Sequence, residues 1–298
     1  MAIGLNSYLQ KLGPGIITAA LVFGPGSLTI NTKLGASFGF SLIWVILIAM
    51  IFMSVFTRMS AKIGLVSQVS FIVRIKQELG KPLAILVGVG VFLTTASFQA
   101  GNTIGASVAF AELFSTSYVL WLALFTVLAI GLLFFESFYK ILEKVMIGLV
   151  VLMLVSFLIT IIMAAPSLVL IFKGMVPSIP NGSEYLIITL TASSFSIVGA
   201  FYQSYLVKEK GWKSEETSDC MKESQTGIII LGLLSTMVMI CAASVLHQKD
   251  IEVKNASDLG MALEPLFGAF TSKAFMIGFF AASFSSMVGN ATIGGVIL

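Results

Sequence analysis

Long apolar runs alternate with short polar connections along this chain. Runs of about 20 apolar residues are long enough to cross the hydrocarbon core of a bilayer as helices. Eight such runs cover residues 13–31, 37–57, 82–110, 117–135, 145–165, 184–207, 225–246 and 265–297. The pattern predicts an all-α membrane protein in which residues 1–298 form a single integral membrane domain.

The first run contains the helix-breaking sequence Gly24-Pro25-Gly26, followed by Ser27. In lipid, backbone groups freed by a break must be satisfied by protein or water, so breaks occur where a helix is buried or lines a cavity. Transporters place their substrates at such breaks near the middle of the membrane. We therefore expect two half-helices here, with Ser27 capping the second. A simple proline kink that serves no ligand is the alternative interpretation.

Composition and charge support a membrane location. Hydrophobic residues make up 57% of the chain and charged residues 10%, and the mean hydropathy is +1.03. Soluble domains carry roughly a quarter charged residues. Of the 17 Lys and Arg residues, 12 fall on one predicted side of the membrane and 5 on the other. Because cytoplasmic loops are enriched in Lys and Arg, we expect a multi-pass protein of the cell membrane with a cytoplasmic N-terminus.

The net charge also indicates which partners the protein needs. Its net value of +3 is explained by topology and requires no nucleic acid. We expect membrane lipid and a small-molecule or ion substrate as partners, while the sequence identifies no protein partner. No cofactor is predicted, and the absence of a catalytic constellation in the sequence argues against an enzyme.

Several predicted spans contain polar side chains, which are candidates for a binding site because their burial is costly. Gln99 and Asn102 are three residues apart and therefore share a helix face. Tyr202 and Gln203 lie in the sixth span. Polar residues of the eighth span are interpreted as helix-packing residues; they include Ser283, Ser285, Ser286 and Asn290. No Asp or Glu lies well inside any predicted span.

At several places the sequence resembles the Nramp family of proton-coupled divalent-metal transporters. The similar segments are residues 12–15, 24–27, 38–45, 60–64, 144–148 and 173–178. This resemblance implies a five-plus-five inverted-repeat fold in which spans one and six are broken. It places the first repeat at about 10–165 and a partial second repeat at about 184–298, so we expect a fold truncated after about eight transmembrane helices.

The resemblance also locates a substrate site, but the charged side chains of that site differ. Gly24 and Ser27 occupy the positions where the family has a metal-binding Asp and Asn. In span six, Ile197 and Ala200 stand where the family supplies an Ala carbonyl and a Met thioether. The two acids of span three fall at Gln99 and Asn102, and the missing proline leaves the span-six break dependent on Gly199. Soft sulfur selects transition metals, and Ala200 offers none. The sequence therefore assigns no metal ligand among these residues.

The candidate substrate-binding residues are Gly24, Gly26, Ser27, Gln99, Asn102, Ile197, Ala200, Tyr202 and Gln203. Three functions are compatible with them. The first is a secondary transporter that moves divalent metal ions by alternating access with proton coupling. The second keeps this fold and mechanism but carries a neutral or anionic small solute, since the acids are replaced. The third is a membrane sensor or interaction protein that does not transport.

Overall fold

A computed structural model describes residues 19–20, 22–67, 69–132, 139–194, 197–209, 211–212, 216–247, 253–254 and 257–297. The twelve helices in these ranges are α1 (Pro25–Phe38), α2 (Ile43–Val66), α3 (Phe71–Leu79), α4 (Lys81–Phe114), α5 (Tyr118–Leu132), α6 (Tyr139–Ala164), α7 (Leu168–Lys173), α8 (Glu184–Ser194), α9 (Ile197–Glu209), α10 (Thr217–Val245), α11 (Ser257–Phe267) and α12 (Ala269–Ile297).

Five stretches in the described part of the chain are long and apolar enough to cross a membrane. They are Ile43–Val66, Lys81–Phe114, Ile147–Ala164, Thr217–Val245 and Ala269–Ala291. They correspond to predicted spans two, three, five, seven and eight. The shorter apolar helix Tyr118–Gly131 corresponds to span four. The 24 residues of α2 extend about 36 Å at 1.5 Å per residue, which exceeds the thickness of the hydrocarbon core.

The predicted break in span one is confirmed. Ala19, Ala20 and Val22 are helical, the chain bends at Phe23 and Gly24, and α1 begins at Pro25. The helix then extends to Phe38, beyond the predicted end of the span. The turn into α2 begins at Gly39, whose φ of +59° favours glycine.

Gly199, the one residue on which a break of span six was expected to depend, lies inside α9. Glycine costs only about 1 kcal/mol within a helix, and unlike proline it keeps its N–H, so it does not by itself end one. In the described chain α8 ends at Ser194 and α9 begins at Ile197. Residues 195–196 lie outside the described residues, so an interruption of span six stays a prediction.

Close backbone contacts join the helices around the break. A Cβ on Gly35 of α1 would overlap the Met239 carbonyl oxygen of α10, and one on Gly64 of α2 would lie 2.5 Å from the Ser204 carbonyl oxygen of α9. Small residues at such crossings let membrane helices approach closely. The long helices α4 and α12 also pack along each other, and they enclose the bend from the opposite side.

The connector at residues 165–183 is bonded to the turn between α1 and α2. The Trp44 indole N–H donates to the Ser178 carbonyl oxygen at 3.0 Å. The backbone N–H of Trp44 donates to the Gly174 carbonyl oxygen, also at 3.0 Å. The Ser178 hydroxyl donates to the Ser41 carbonyl oxygen at 3.4 Å. These bonds hold the connector against the end of α1.

Candidate functional site

The break in span one is positioned by close contact with α4 and α12. Gly24 is the N-cap residue of α1, with an extended conformation (φ −107°, ψ −173°), and Pro25 occupies the first turn. Proline suits that position because its fixed φ is helical and its missing N–H would lack an intrahelical partner. A Cβ on Gly105 of α4 would lie 2.6 Å from both Pro25 Cβ and Ser283 Oγ. The three helices meet here because Gly105 has no side chain.

Serine hydroxyls satisfy backbone carbonyls next to the bend. The Val22 carbonyl oxygen accepts the Gly24 N–H at 3.0 Å and the Ser27 hydroxyl at 3.1 Å. The expectation that Ser27 caps the second half-helix is therefore wrong. Because α1 already begins at Pro25, Ser27 lies within its first turn and its hydroxyl donates back across the bend.

Two serines of α12 also bond to this region. The Ser285 hydroxyl lies 3.1 Å from the Ala20 carbonyl oxygen and 3.0 Å from the Ala282 carbonyl oxygen of its own helix. Ser286 Oγ accepts a hydrogen bond from Asn102 Nδ2 at 2.9 Å. Both contacts join α12 to another helix, which agrees with the interpretation of these two residues as helix-packing residues. The Ser283 hydroxyl instead donates to the Phe279 carbonyl oxygen of its own helix at 2.8 Å.

Gly24 lies directly against the polar side chains of the neighbouring helices. A Cβ on Gly24 would lie 2.6 Å from Asn102 Oδ1 and 2.8 Å from Ser286 Oγ. Asn290 joins the same group, since its Nδ2 lies 3.0 Å from the Ser286 carbonyl oxygen and 3.3 Å from Ser286 Oγ. We call these residues the break cluster. Its members are Gly24, Ser27, Asn102, Ser285, Ser286 and Asn290.

The remaining candidates on α1 and α4 are Gly26 and Gln99, which lie near this cluster in sequence, as does the buried Asn31. Asn31 follows Ser27 by one helical turn, and its Nδ2 donates to the Ser27 carbonyl oxygen at 2.8 Å. Gln99 precedes Asn102 by one turn and is half-buried. Gly26 is exposed, and in the described part of the chain nothing approaches within 4 Å of the position of its Cβ. A ligand at Gly26 would therefore meet backbone and open space.

The candidates of span six make their described contacts elsewhere. Gln203 is fully buried and donates from Nε2 to Ser224 Oγ of α10 at 2.7 Å. The ring of Tyr202 stacks on Tyr205 at a centroid distance of 5.9 Å. Tyr202 also lines a groove of about 270 Å³ between α9 and α3, together with Phe71. These contacts tie Tyr202 and Gln203 to α3 and α10, whereas the cross-helix hydrogen bond of Asn102 goes to α12.

Ile197 and Ala200 belong to α9 by backbone conformation. Their side chains lie outside the described residues. Their predicted role depends in part on a backbone carbonyl, which any residue could supply, and it stays a prediction.

The break cluster contains no ionisable side chain. Among the described residues, no group of three or more His, Cys, Asp or Glu side chains could hold a metal ion. The sequence did not predict the burial of Glu223, which lies within α10 and is only 3% exposed. The predicted span began at residue 225, but the helix starts at Thr217, so Glu223 is part of it. Its burial had no signal in the hydropathy pattern, because it lies among polar residues.

In the described part of the chain, a bent first span is hydrogen-bonded to α12 and lies against α4 within a bundle of helices. This arrangement defines a membrane protein with a transporter fold. The family model described as natural resistance-associated macrophage protein-like (Nramp) matches residues 15–298. The chain therefore belongs to the Nramp family.

Two curated relatives carry the name divalent metal cation transporter MntH. The protein of Deinococcus radiodurans is 27% identical over 99% of this chain and 70% of its own length. That of Yersinia pestis (strain Pestoides F) is 23% identical over 97% of this chain and 72% of its own length.

Solved structures of the Eremococcus coleocola manganese transporter share the fold. One, of a mutant, superposes with a TM-score of 0.77 at 18% identity, covering 98% of this chain and 67% of the other. Another, in complex with an aromatic bis-isothiourea substituted compound, gives a TM-score of 0.78 at 19% identity, covering 98% of this chain and 65% of the other. The chain thus spans about two thirds of the length of these structures.

Proposed function

We propose that this protein is a secondary transporter that carries a small polar solute past the break in α1 by alternating access. The observation that carries the proposal is the contact of the bent segment with neutral polar side chains of α4 and α12. Ser285 contacts the backbone before the bend, while Asn102 and Ser286 lie against Gly24. A discontinuous helix of this kind gives a solute access to backbone groups in the middle of the membrane.

Transport of a divalent metal is the second candidate, and the names of the curated relatives support it. Proton coupling would accompany it, as the resemblance to the family implies. The chemistry of the break cluster favours the first candidate. Hard divalent cations are normally held by carboxylates and other oxygen ligands, and the cluster offers hydroxyl and carboxamide oxygens without a carboxylate.

We also propose a location in the cell membrane with the N-terminus in the cytoplasm. The distribution of 12 and 5 basic residues between the two sides supports this orientation. Membrane lipid and the transported solute are the partners that this function requires. No catalytic step and no cofactor is part of the proposal.

Uptake into proteoliposomes tests the function. Purified protein is reconstituted, and the uptake of acetamide, acetate and Mn²⁺ is measured against empty vesicles. We expect saturable uptake of at least one of these solutes. Gly24→Leu should abolish it, because the side chain would collide with Asn102 and Ser286.

The matched control is Gly90→Leu on α4. Gly90 is exposed, and in the described structure nothing lies within 4 Å of the position of its Cβ. Both variants are checked for helical content and for a single peak in size-exclusion chromatography. The proposal is overturned if the unmodified protein takes up none of the three solutes, or if folded Gly24→Leu protein takes them up at the normal rate.

A further inference from the structure

An apolar groove with a cationic end lies between the start of α3 and α9. Its volume is about 270 Å³, and aromatic side chains dominate its lining, among them Phe71, Phe201 and Tyr205. The rings of Phe71 and Phe201 lie 4.5 Å apart between centroids. Ser70 and Lys208 also line the groove. We call it the α3–α9 groove.

This groove lies at one face of the membrane. The nine residues of α3 connect α2 and α4, and both of these helices are long enough to cross a bilayer. On one side of α3, Ile72 and Ile75 pack against the bundle, while Lys76 on the other side is exposed. Val66 and Leu79, at the two ends of the connection, are 78% and 63% exposed. An amphipathic helix flanked by exposed apolar residues is typical of the boundary between headgroups and acyl chains.

The polar end of the groove has hydrogen-bond donors to spare. The Lys208 ammonium donates to the Val69 carbonyl oxygen, which uses one of its three N–H groups. Ser70 Oγ accepts the Val73 N–H at 3.4 Å, which leaves the hydroxyl proton available for donation. A cation and a hydroxyl donor beside aromatic rings match a ligand that is anionic at one end and apolar at the other.

The charge around the groove has the same sign as its polar end. Residues 58–81 contain one acid, Glu78, and this acid pairs with Arg74 at 2.8 Å. The same segment contains five basic residues, which are Arg58, Lys62, Arg74, Lys76 and Lys81. Topology alone explains exposed basic residues on one side of a membrane, but it does not explain a lysine at the end of an aromatic groove. Basic pockets between membrane helices bind anionic lipid headgroups.

We infer that the α3–α9 groove binds an anionic phospholipid from the adjoining leaflet. The lipid phosphate accepts hydrogen bonds from the Lys208 ammonium and the Ser70 hydroxyl, and part of one acyl chain covers Phe71 and Phe201. A zwitterionic lipid would bring a second, cationic group to a surface that is already basic. A soluble phosphate would leave the aromatic lining uncovered. The groove shares no residue with the break cluster, so lipid binding does not depend on which solute the protein carries.

Three additives test the inference on the purified full chain in an uncharged detergent. Dioleoyl phosphatidylglycerol has a net negative charge and two acyl chains. Dioleoyl phosphatidylcholine has the same chains without a net charge, and glycerol phosphate has the charged group without chains. Thermal unfolding is followed by tryptophan fluorescence with each additive at the same concentration. A ligand that binds only the folded state raises Tm, so we expect phosphatidylglycerol to raise it by about 2 to 4 °C and the other two to give less than a third of that shift.

Variants of two lysines separate a defined site from general attraction to a basic surface. Lys208→Met should reduce the phosphatidylglycerol shift at least threefold, and Lys208→Arg should keep most of it. The matched control is Lys62→Met, because Lys62 is exposed on α2 in the same basic segment and is not among the described residues that line the groove. It removes the same single charge, and most of the shift should remain. If Lys208→Met does not fold, the comparison of the three additives on the unmodified protein decides.

Equal shifts with phosphatidylglycerol and phosphatidylcholine would overturn the inference, because charge would then play no part. A full shift with glycerol phosphate would show a site for free phosphate instead of a lipid. The absence of any phosphatidylglycerol shift, an undiminished shift in Lys208→Met, or an equal loss in Lys208→Met and Lys62→Met would also overturn it. None of these outcomes changes the interpretation of the uptake experiment, which concerns the break in α1.

Discussion

Spans one and six contain similar polar residues but contact different neighbours. In span one, the bent segment bonds to α12, and Gly24 lies against Asn102 of α4. In span six, Gln203 bonds to α10 and Tyr202 lines the groove with α3. Both spans were expected to supply one substrate site. The difference shows that similar polar side chains in two membrane helices bond to different neighbours, according to which helix lies opposite each of them.

The largest expected effects come from the close crossings that hold each span. Gly35→Ala on α1 and Gly64→Ala on α2 would each push a methyl group into the backbone of the partner helix. Overpacking of this kind costs typically about 1 to 3 kcal/mol. Thermal unfolding in detergent should show a clearly lower Tm for both.

Gly26→Ala is the control for these two variants, because the position of its Cβ is open. Alanine is favoured over glycine in helices by up to about 1 kcal/mol, so Tm should stay the same or rise. A normal Tm for Gly35→Ala would mean that α1 does not cross α10 as closely as described, and the same holds for Gly64→Ala with α9.

Removing one buried side-chain hydrogen bond from each region should have the next largest effect. Asn102→Leu removes the bond to Ser286, and Gln203→Leu removes the bond to Ser224. Such bonds contribute about 1 kcal/mol in membrane proteins, so both variants should lower Tm moderately. Hydrogen exchange should locate the loss of protection in α12 for the first variant and in α10 for the second. Faster exchange of the same helix in both would contradict the separation of the two regions.

Freeing a backbone carbonyl near the bend should have a smaller effect. Ser285→Ala removes the hydroxyl bond to the Ala20 carbonyl oxygen, but this hydroxyl is shared with Ala282. We expect a loss of about 0.5 kcal/mol and faster hydrogen exchange at residues 19–24. A Ser286→Ala variant, tested beside it, should affect Asn102 instead. No local change at the bend in Ser285→Ala would show that this bond does not hold the segment.

The smallest expected effect is at the end of α9. The Lys208 ammonium donates to the Val69 carbonyl oxygen in the connection before α3. The side chain is only half-buried, so water can replace the bond, and Lys208→Met should cost less than about 0.5 kcal/mol. The measurement is again Tm, with Lys222→Met on the exposed surface of α10 as the matched control. A loss as large as that of Gln203→Leu would mean that this bond fixes α9 to the α3 connection.

The sequence predicted the break and most membrane helices because both depend on local features. Gly24-Pro25-Gly26 interrupts a helix wherever it stands, and apolar length is visible in the hydropathy. The roles of Ser27, Ser285 and Ser286 could not be predicted in the same way. Each depends on which helix lies opposite, and a serine that bonds to its own helix has the same local sequence as one that bonds to another.

The two carboxamides of α4 illustrate this limit. Their spacing places Gln99 and Asn102 on one face, but only contact with Gly24 and Ser286 distinguishes Asn102. Glu223, by contrast, was not singled out by the sequence, although it is buried. Its neighbours are polar, so its burial arises entirely from the packing of α10 within the bundle.

The bonds between the connector and the start of α2 should keep the two parts of the chain together even if the connector is cleaved. Residues 165–183 join the first six helices to the rest. Ser178 bonds to Ser41 in the turn that follows α1 and to Trp44 at the start of α2. Val176 lies on the N-terminal side of Ser178 in the connector and is exposed, so we expect a protease to reach the connector there. After such a cut the bonds of Ser178 to Trp44 and Ser41 would still join the second fragment to the first. We therefore expect the two fragments to stay associated and to elute together.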